Sequence, residues 1–217
     1  MKFDTAVFDL DGTILDTLCD LRDSVNFALS KNGLPNRSTE EIRAFVGNGI
    51  RLLIERSVPR NTEEEIVDRC FSDFKAHYKE NSANLTKPYD EIINVLNELK
   101  SKGVKIAVVS NKADFAVQGL MLRYFPDIFH FAVGEREGVR RKPSPDSVFT
   151  AMKFLNADKN KTVYIGDSDV DIETARNSGI PCIAVTWGFR DKEVLEKLNP
   201  EYIIDKPSQI TEIIIER

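Results

Sequence analysis

Two carboxylates separated by one residue follow a short apolar run near the start of the chain. The run over residues 6–8 ends on Asp9, and Asp11, Gly12 and Thr13 follow directly. Side chains of a strand alternate between its faces, so Asp9 and Asp11 should project to the same side. Gly12 permits the sharp turn that comes next. Because two close carboxylates repel each other unless a cation or a proton lies between them, the pattern predicts a cation-binding or proton-transferring site.

Two later apolar runs also end in polar side chains. Ser110 and Asn111 follow the run over residues 104–109, and an acid-rich stretch follows the run over residues 163–165, namely Gly166-Asp167-Ser168-Asp169-Val170-Asp171. In open parallel sheets, ligands bind beyond the carboxyl ends of the strands, so we expect these three ends to converge on one crevice. Several carboxylates without matching arginines or histidines favour a hard divalent cation, and Mg²⁺ fits best.

One lysine is placed to join these acids. Lys142 lies in the run Arg140-Arg141-Lys142-Pro143-Ser144-Pro145, whose prolines predict a rigid turn that leads into a helix. We interpret Lys142 as a site residue, and Arg140 and Arg141 as part of a solvated surface cluster.

The elements that must position these residues indicate an α/β protein with a helical insertion. In the second half of the chain strands alternate with helices, which predicts a doubly wound, Rossmann-like parallel sheet. Residues 16–81 show helical spacing of apolar residues and no convincing strand, and Ser38 and Glu41 fit a capping box. We expect a catalytic core over residues 1–15 and 82–217. The predicted strands cover residues 4–9, 104–109, 129–133, 162–166, 181–185 and 202–204.

Composition narrows the class of partner. The 217 residues carry a net charge of −5, and no basic cluster indicates a nucleic acid partner. No apolar run approaches the ~18 residues of a membrane span, and Met1 leads directly into the first strand without a signal peptide. Cys19, Cys70 and Cys182 lack metal-ligand spacing and are interpreted as reduced thiols. We expect a cytoplasmic monomer or homodimer without a membrane partner.

Together these segments resemble the four motifs of the haloacid dehalogenase superfamily of phosphotransferases. The motifs are DxDGT from Asp9, a hydroxyl residue at Ser110, a lysine at Lys142 before a proline-rich helix start, and GDxxxD from Gly166. They occur in the family's order, at the predicted strand ends, and span essentially the whole chain. Members with a helical cap after the first motif match the insertion at residues 16–81.

The resemblance implies a phosphatase that acts on a small phosphorylated metabolite, with a role for each motif residue. Asp9 is the expected nucleophile and Asp11 the general acid and base. Ser110 and Lys142 are expected to bind the phosphoryl group that is transferred.

The resemblance also implies a magnesium site. Its expected ligands are the carboxylates of Asp9 and Asp167 and the main-chain carbonyl of Asp11. Asp171 is expected to orient Lys142 or the water around the metal, and the role of Asp169 is left open.

Parts of the chain are similar to bacterial phosphoglycolate phosphatases in particular. These parts are the first-motif segment, Gly33-Leu34-Pro35, and the turn Gly47-Asn48-Gly49. The similarity implies 2-phosphoglycolate as substrate, with Thr13, Asn111 and the turn among the substrate-binding residues. Backbone N–H groups at the start of a helix suit a small anionic tail, although the same turn could simply join two helices.

Other activities of the same superfamily remain open. Sugar-phosphate mutases usually carry a cap histidine about ten residues after the first motif, where this chain has Cys19 and Asp20. That difference favours a hydrolase. Pyrophosphatases and nucleotidases share the same frame. A phospho-acceptor receiver module is a distant alternative, since such modules lack both the helical insertion and the second aspartate of the first motif.

Overall fold

The computed structural model describes residues 1–215, which form two compact units. One unit comprises Met1–Leu15 and the chain from Pro88 onward, and the other comprises Asp16–Lys87. In chain order the elements are β1 (Thr5–Phe8), β2 (Leu15–Asp16), α1 (Leu18–Lys31), α2 (Thr39–Phe45), α3 (Ile50–Ser57), α4 (Glu64–Asn81), β3 (Lys87–Pro88), α5 (Ile92–Ser101), β4 (Lys105–Ala113), α6 (Asp114–Tyr124), β5 (Phe131–Glu135), α7 (Asp146–Leu155), β6 (Thr162–Gly166), α8 (Asp169–Ser178), β7 (Cys182–Val185), α9 (Lys192–Lys197), β8 (Tyr202–Ile204) and α10 (Ser208–Ile215).

The first unit is built on a parallel sheet. Within residues 1–215 its six strands lie in the order β5-β4-β1-β6-β7-β8. Counted along the chain, this is the doubly wound order 3-2-1-4-5-6, in which ligands bind where the order reverses. The predicted Rossmann-like α/β class is therefore confirmed. In the register of the sheet Phe8 lies opposite both Val108 and Ile165, so the ends of β1, β4 and β6 lie side by side.

The strands that carry the site are buried because their sequences are apolar on both faces. All four residues of β1 and all five of β6 are buried, as expected for strands covered by helices on each side. Buried residues of β1, β4 and β6 share one core cluster with residues of α7 and α8, among them Val7, Ala107, Tyr164, Val148, Ala151, Ile172 and Ala175. This packing gives the polar residues at the strand ends a rigid base.

The bounds of the elements differ from the predictions in a few places. β4 continues to Ala113, past the predicted end at residue 109, with a shift in its register to β5 between Val109 and Ala113. The helices α9 and α10 were not expected from the sequence. Ile210 and Ile214 of α10 are both buried, and their spacing of four residues was the available signal.

The unit Asp16–Lys87 is helical over most of its length, with α1 packed on α4. The predicted capping box begins α2: Glu41 N donates to Ser38 Oγ at 3.2 Å, and Ser38 N donates to Glu41 Oε2 at 2.8 Å. The buried carboxylate of Asp20 accepts hydrogen bonds from the backbone N–H groups of Leu85 and Thr86. These bonds tie the first helix of the unit to the returning chain.

Two further properties bear on the expectations from composition. None of the helices in the described part of the chain is both long and apolar enough to cross a membrane. Cys19, Cys70 and Cys182 are free thiols, and the last two are buried.

Candidate active site

The aspartates of the first motif lie at the end of the central strand β1. Asp9 is buried, and its backbone N–H donates to Ile165 O of the neighbouring strand at 2.9 Å. Asp11 is half-buried in the turn that follows. Gly12 has a φ of +85°, and a Cβ there would collide with the carboxylate of Asp167. The turn therefore requires glycine both for its backbone conformation and for this close approach.

Lys142 joins the ends of β1 and β6. Its ammonium lies 2.8 Å from Asp9 Oδ1 and 2.7 Å from Asp171 Oδ1. It also donates to the hydroxyl of Tyr164 at 3.0 Å, and its side chain is only 3% exposed. Burial would lower the pKa of Lys142, but the charges of Asp171 and Asp9 raise it well above its ordinary value. Lys142 is therefore a fixed positive charge beside Asp9.

Asp167 is held by groups from two other segments. Thr13 Oγ1 donates to its Oδ1 at 3.0 Å, and the backbone N–H of Phe189 donates to its Oδ2 at 2.7 Å. A Cβ on Gly188 would collide with Asp167 and with the carbonyl of Gly12. The loop after β7 therefore packs directly against this carboxylate and fixes its direction.

Burial leaves two of these acids with unusual affinity for protons. Burial, together with the charge of Asp171, raises the pKa of Asp9 to about 7. Burial and the charges of Asp171 and Asp9 raise the pKa of Asp167 to about 8. One buried lysine therefore does not offset the negative charge of the cluster, and a further cation would stabilise the ionised form of both groups.

The donor set fits a magnesium ion. Asp9, Asp167 and Asp171 are all buried, and each offers a carboxylate oxygen within 4.8 Å of the others. Asp9 Oδ1 accepts no hydrogen bond of normal geometry, although it lies near the ammonium of Lys142. Oxygen-only ligands and an acceptor without a hydrogen-bond donor suit a hard divalent cation. Both oxygens of Asp171 accept bonds, from Lys142 and Ser168, whereas Asp9 Oδ1 accepts no hydrogen bond of normal geometry, so Asp9 is a better ligand than Asp171.

The residues that follow the buried core of β4 lie around the same crevice. Ser110 is buried, and its Oγ accepts a hydrogen bond from Lys112 N at 3.2 Å. The side-chain amide of Asn111 hydrogen-bonds to the backbone of Lys142 on both sides. Asn111 Oδ1 accepts from the Lys142 N–H at 2.8 Å, and Nδ2 donates to the Lys142 carbonyl at 3.0 Å. Asn111 thus holds the backbone of Lys142. Thr13 and Asn111, both predicted to bind substrate, have these protein groups as partners here.

Other residues singled out from the sequence lie in different surroundings. Asp169 pairs with Arg190 at 2.9 Å, and Arg140 pairs with Asp146 at an exposed position. In the helical unit Gly47 and Gly49 have φ of +121° and +85°, and Gly49 precedes the first residue of α3. Asn48 between them accepts a hydrogen bond from Arg56 at 3.1 Å.

Three contributors to the site were missed from the sequence. Lys112 lies 2.9 Å from Asp11 Oδ1, the hydroxyl of Tyr164 contacts Lys142, and the backbone N–H of Phe189 contacts Asp167. Signals existed for two of them. Lys112 lies two residues after Ser110, which in a strand indicates the same face. A tyrosine in a fully buried strand also needs a partner for its hydroxyl.

Tyr164→Phe should weaken the site without changing the volume of the core. The hydroxyl accepts from Lys142 and lies 3.1 Å from Asp171 Oδ1, so its loss removes one of the groups that orient the ammonium. We expect the free energy of unfolding to fall by about 1–3 kcal/mol and kcat to fall about tenfold. Thermal unfolding and steady-state kinetics measure both. Tyr202→Phe on β8 is the matched control, and equal effects of the two substitutions would contradict a positioning role for Tyr164.

The fold and the site define the class of protein. The model of the haloacid dehalogenase-like hydrolase family matches residues 6–185, and the chain belongs to that family. A phosphoglycolate phosphatase of Aquifex aeolicus is 32% identical over 212 residues, which are 96% of this chain and 95% of the relative. A putative pyrophosphatase, PpaX, of Caldanaerobacter subterraneus subsp. tengcongensis is also 32% identical, over 99% of this chain and 96% of its own. The crystal structure of a putative phosphoglycolate phosphatase from Lactobacillus delbrueckii subsp. bulgaricus is 37% identical, with a TM-score of 0.95 and full coverage of both chains.

Proposed function

We propose that this hydrolase is a magnesium-dependent phosphatase that cleaves a small phosphate monoester through an aspartyl-phosphate, with 2-phosphoglycolate as its preferred substrate. The observation that carries the proposal is the buried carboxylate of Asp9, 2.8 Å from Lys142 and grouped with Asp167 and Asp171. The names of relatives that match nearly the full length support the choice of substrate.

Asp9 supplies the nucleophile in the proposed mechanism. Its carboxylate attacks phosphorus and the ester oxygen leaves; water then attacks phosphorus, which frees the Asp9 carboxylate and releases inorganic phosphate. Lys142 and Ser110 hold the oxygens of the phosphoryl group and offset their charge. Asp171 and Tyr164 keep the Lys142 ammonium in place.

Asp11 transfers the protons in both half-reactions. It gives its proton to the departing alkoxide and, now ionised, accepts one from the attacking water. The carboxylates of Asp9 and Asp167 and the Asp11 carbonyl would hold Mg²⁺, which would supply positive charge to stabilise the transition state. Thr13 and the Phe189 N–H keep Asp167 directed toward that position.

We further propose that residues 16–81 act as a cap on a core formed by residues 1–15 and 82–217. In the structure the helical unit begins at Asp16 and extends to Lys87. The turn Gly47–Gly49 at the start of α3 is the proposed contact for the part of the substrate beyond the phosphate. Both glycines have positive φ, a backbone conformation that residues with a Cβ rarely adopt.

Pyrophosphate hydrolysis is the second candidate function. It is favoured by the relative that is named a putative pyrophosphatase, whose identity to this chain equals that of the phosphoglycolate phosphatase from Aquifex aeolicus. Mutase activity is disfavoured because the expected cap histidine is absent from the sequence after the first motif. A cytoplasmic location and a monomeric or homodimeric state stay predictions.

A substrate panel separates these functions. The purified protein with Mg²⁺ should give its highest kcat/KM on 2-phosphoglycolate when tested against pyrophosphate, nucleoside monophosphates, glycerol phosphates and hexose phosphates. Release of inorganic phosphate measures the rate. A higher kcat/KM for pyrophosphate would establish the second candidate. Isomerisation of a hexose phosphate without release of phosphate would contradict both hydrolase assignments.

A further inference from the structure

A buried lysine lies beside the proposed acid and base, and no step of the proposed mechanism uses it. The side chain of Lys112 is 2% exposed, and its Nζ lies 2.9 Å and 3.0 Å from the two carboxylate oxygens of Asp11. Burying an ammonium costs free energy that a methionine of similar size would not. Packing alone therefore does not account for a lysine at this position.

Lys112 also connects the two sides of the crevice. Its backbone N–H donates to Ser110 Oγ, the hydroxyl proposed to hold the phosphoryl group, while its ammonium reaches Asp11. β4, which carries both residues, lies next to β1 in the sheet. The ammonium therefore lies next to the group that is proposed to protonate the leaving oxygen.

The distances place part of the substrate within reach of this ammonium. Asp11 must come within about 3 Å of the ester oxygen in order to protonate it. Since Nζ is one hydrogen bond away from Asp11, the ester oxygen lies within about 6 Å of Nζ. In 2-phosphoglycolate the carboxylate is attached one carbon from the ester oxygen, so it can reach this ammonium when it is turned toward β4. An ammonium has three donors and can bind Asp11 and a second carboxylate together.

We propose that Lys112 is a specificity residue that binds the carboxylate of substrates whose acid group lies one carbon from the phosphoester oxygen. This inference rests on the proposed phosphatase function and assigns the group that recognises the alcohol part of the ester. A charge-assisted hydrogen bond in a buried site is strong enough to separate a carboxylate from a neutral group of the same shape. Esters without the acid group also bind through their phosphate, but they form no hydrogen bond to Lys112.

A matched pair of substrates tests the proposal. 2-Phosphoglycolate and its amide have the same size and differ by one negative charge. Wild-type protein should favour the carboxylate over the amide by about 10- to 100-fold in kcat/KM. Lys112→Met should remove this preference. The same substitution should raise the rate on phosphoethanolamine, whose ammonium Lys112 repels, relative to the amide.

The control lies on the same strand. Lys105, at the other end of β4, donates to the carbonyls of Leu155 and Asn156 at 2.8 Å and 3.0 Å. Lys105→Met should retain the wild-type preference for carboxylate over amide even if its melting temperature falls. Lys112→Arg, which keeps the charge, should retain a large part of the preference.

Each outcome decides the inference. An equal loss on both esters in Lys112→Met would mean that Lys112 only positions Asp11, and the inference would be overturned while the proposed function stands. Equal rates of the wild-type protein on carboxylate and amide would overturn it without any variant, so the test does not depend on a variant that folds well. If the wild-type protein hydrolyses p-nitrophenyl phosphate but neither ester, the proposed substrate fails and the inference fails with it.

Discussion

Asp9→Asn should abolish the hydrolysis of every phosphate ester, whereas Asp11→Asn should yield an enzyme that takes up one phosphoryl group and then stalls. Asn at position 9 has no nucleophilic carboxylate, so no phosphoenzyme can form. Asn at position 11 leaves the nucleophile intact but cannot donate a proton to an alkoxide or accept one from water. The expected loss with an alkyl ester is about 10²–10⁴-fold.

An activated ester separates the two steps. Nitrophenolate needs little protonation, so Asp11→Asn should still cleave p-nitrophenyl phosphate in the first step. The second step still lacks a base, and the aspartyl-phosphate should accumulate. Stopped-flow absorbance should show a burst approaching one equivalent of nitrophenolate per enzyme, followed by slow turnover. The mass of the intact protein should increase by one phosphoryl group.

The choice of asparagine follows from the surroundings of the two acids. Ala at position 11 would leave the buried Lys112 ammonium without its carboxylate partner, whereas asparagine keeps one oxygen acceptor there. Asp169→Asn is a suitable control, because Asp169 pairs with Arg190, and it should turn over at close to the wild-type rate. A burst from Asp9→Asn together with steady turnover by Asp11→Asn would reverse the assigned roles.

Removal of magnesium should have an effect as large as removal of the nucleophile. Asp9 must be ionised to attack phosphorus, but burial and Asp171 raise its pKa to about 7. We expect activity to fall to background after exhaustive chelation and to return with Mg²⁺ or Mn²⁺. Ca²⁺ should bind but inhibit, because its longer and less regular coordination spoils the geometry of in-line attack. Undiminished turnover after chelation would contradict a metal role.

The same cluster predicts a pH dependence that can be measured without substrate. The pKa values of Asp9 and Asp167 rise in the folded state, from an ordinary 3.8 to about 7 and about 8. Between these values the folded protein binds more protons than the unfolded chain, so their contribution to stability is lost as pH rises. The melting temperature of metal-free protein should therefore fall from pH 6 to pH 8.5.

Magnesium should reverse this trend, because protons and the cation compete for the same oxygens. The increase in melting temperature caused by Mg²⁺ should be larger at pH 8.5 than at pH 6. Asp167→Asn removes both a titrating group and a proposed ligand, so it should reduce the increase at both pH values. An increase that is equal at the two pH values would mean that Mg²⁺ binds elsewhere on the protein.

The parts of the fold and site that sequence reasoning reached are those with a repeating or local signal. Alternation of strands and helices predicts the parallel sheet, and apolar runs ending in polar residues locate the ends of β1, β4 and β6. The short acid-to-acid spacings around Asp9 and Asp167 identify the crevice, because parallel strands bring their carboxyl ends together. The position of Lys142 beside Asp9 follows from the resemblance of its motif.

The parts that sequence reasoning missed depend on contacts between segments far apart in the chain. Lys112 and Asp11 are separated by 101 positions, and Phe189 and Asp167 by 22. The second contact uses a backbone N–H, which has no signature in the residue type. The contact of the Asn111 amide with the backbone of Lys142 was also not expected, because it depends on the three-dimensional path of the loop, and substrate binding by Asn111 stays a prediction.

The hydrogen bonds of Asn111 to the N–H and carbonyl of Lys142 fix the backbone between the preceding loop and the Lys142 ammonium. Residues 136–141 are exposed, and these two hydrogen bonds anchor the chain at Lys142, which is buried. We expect a change in the length of this loop to leave Lys142 and Asp9 in their positions. A peptide tag inserted in this loop should therefore leave the chemistry intact.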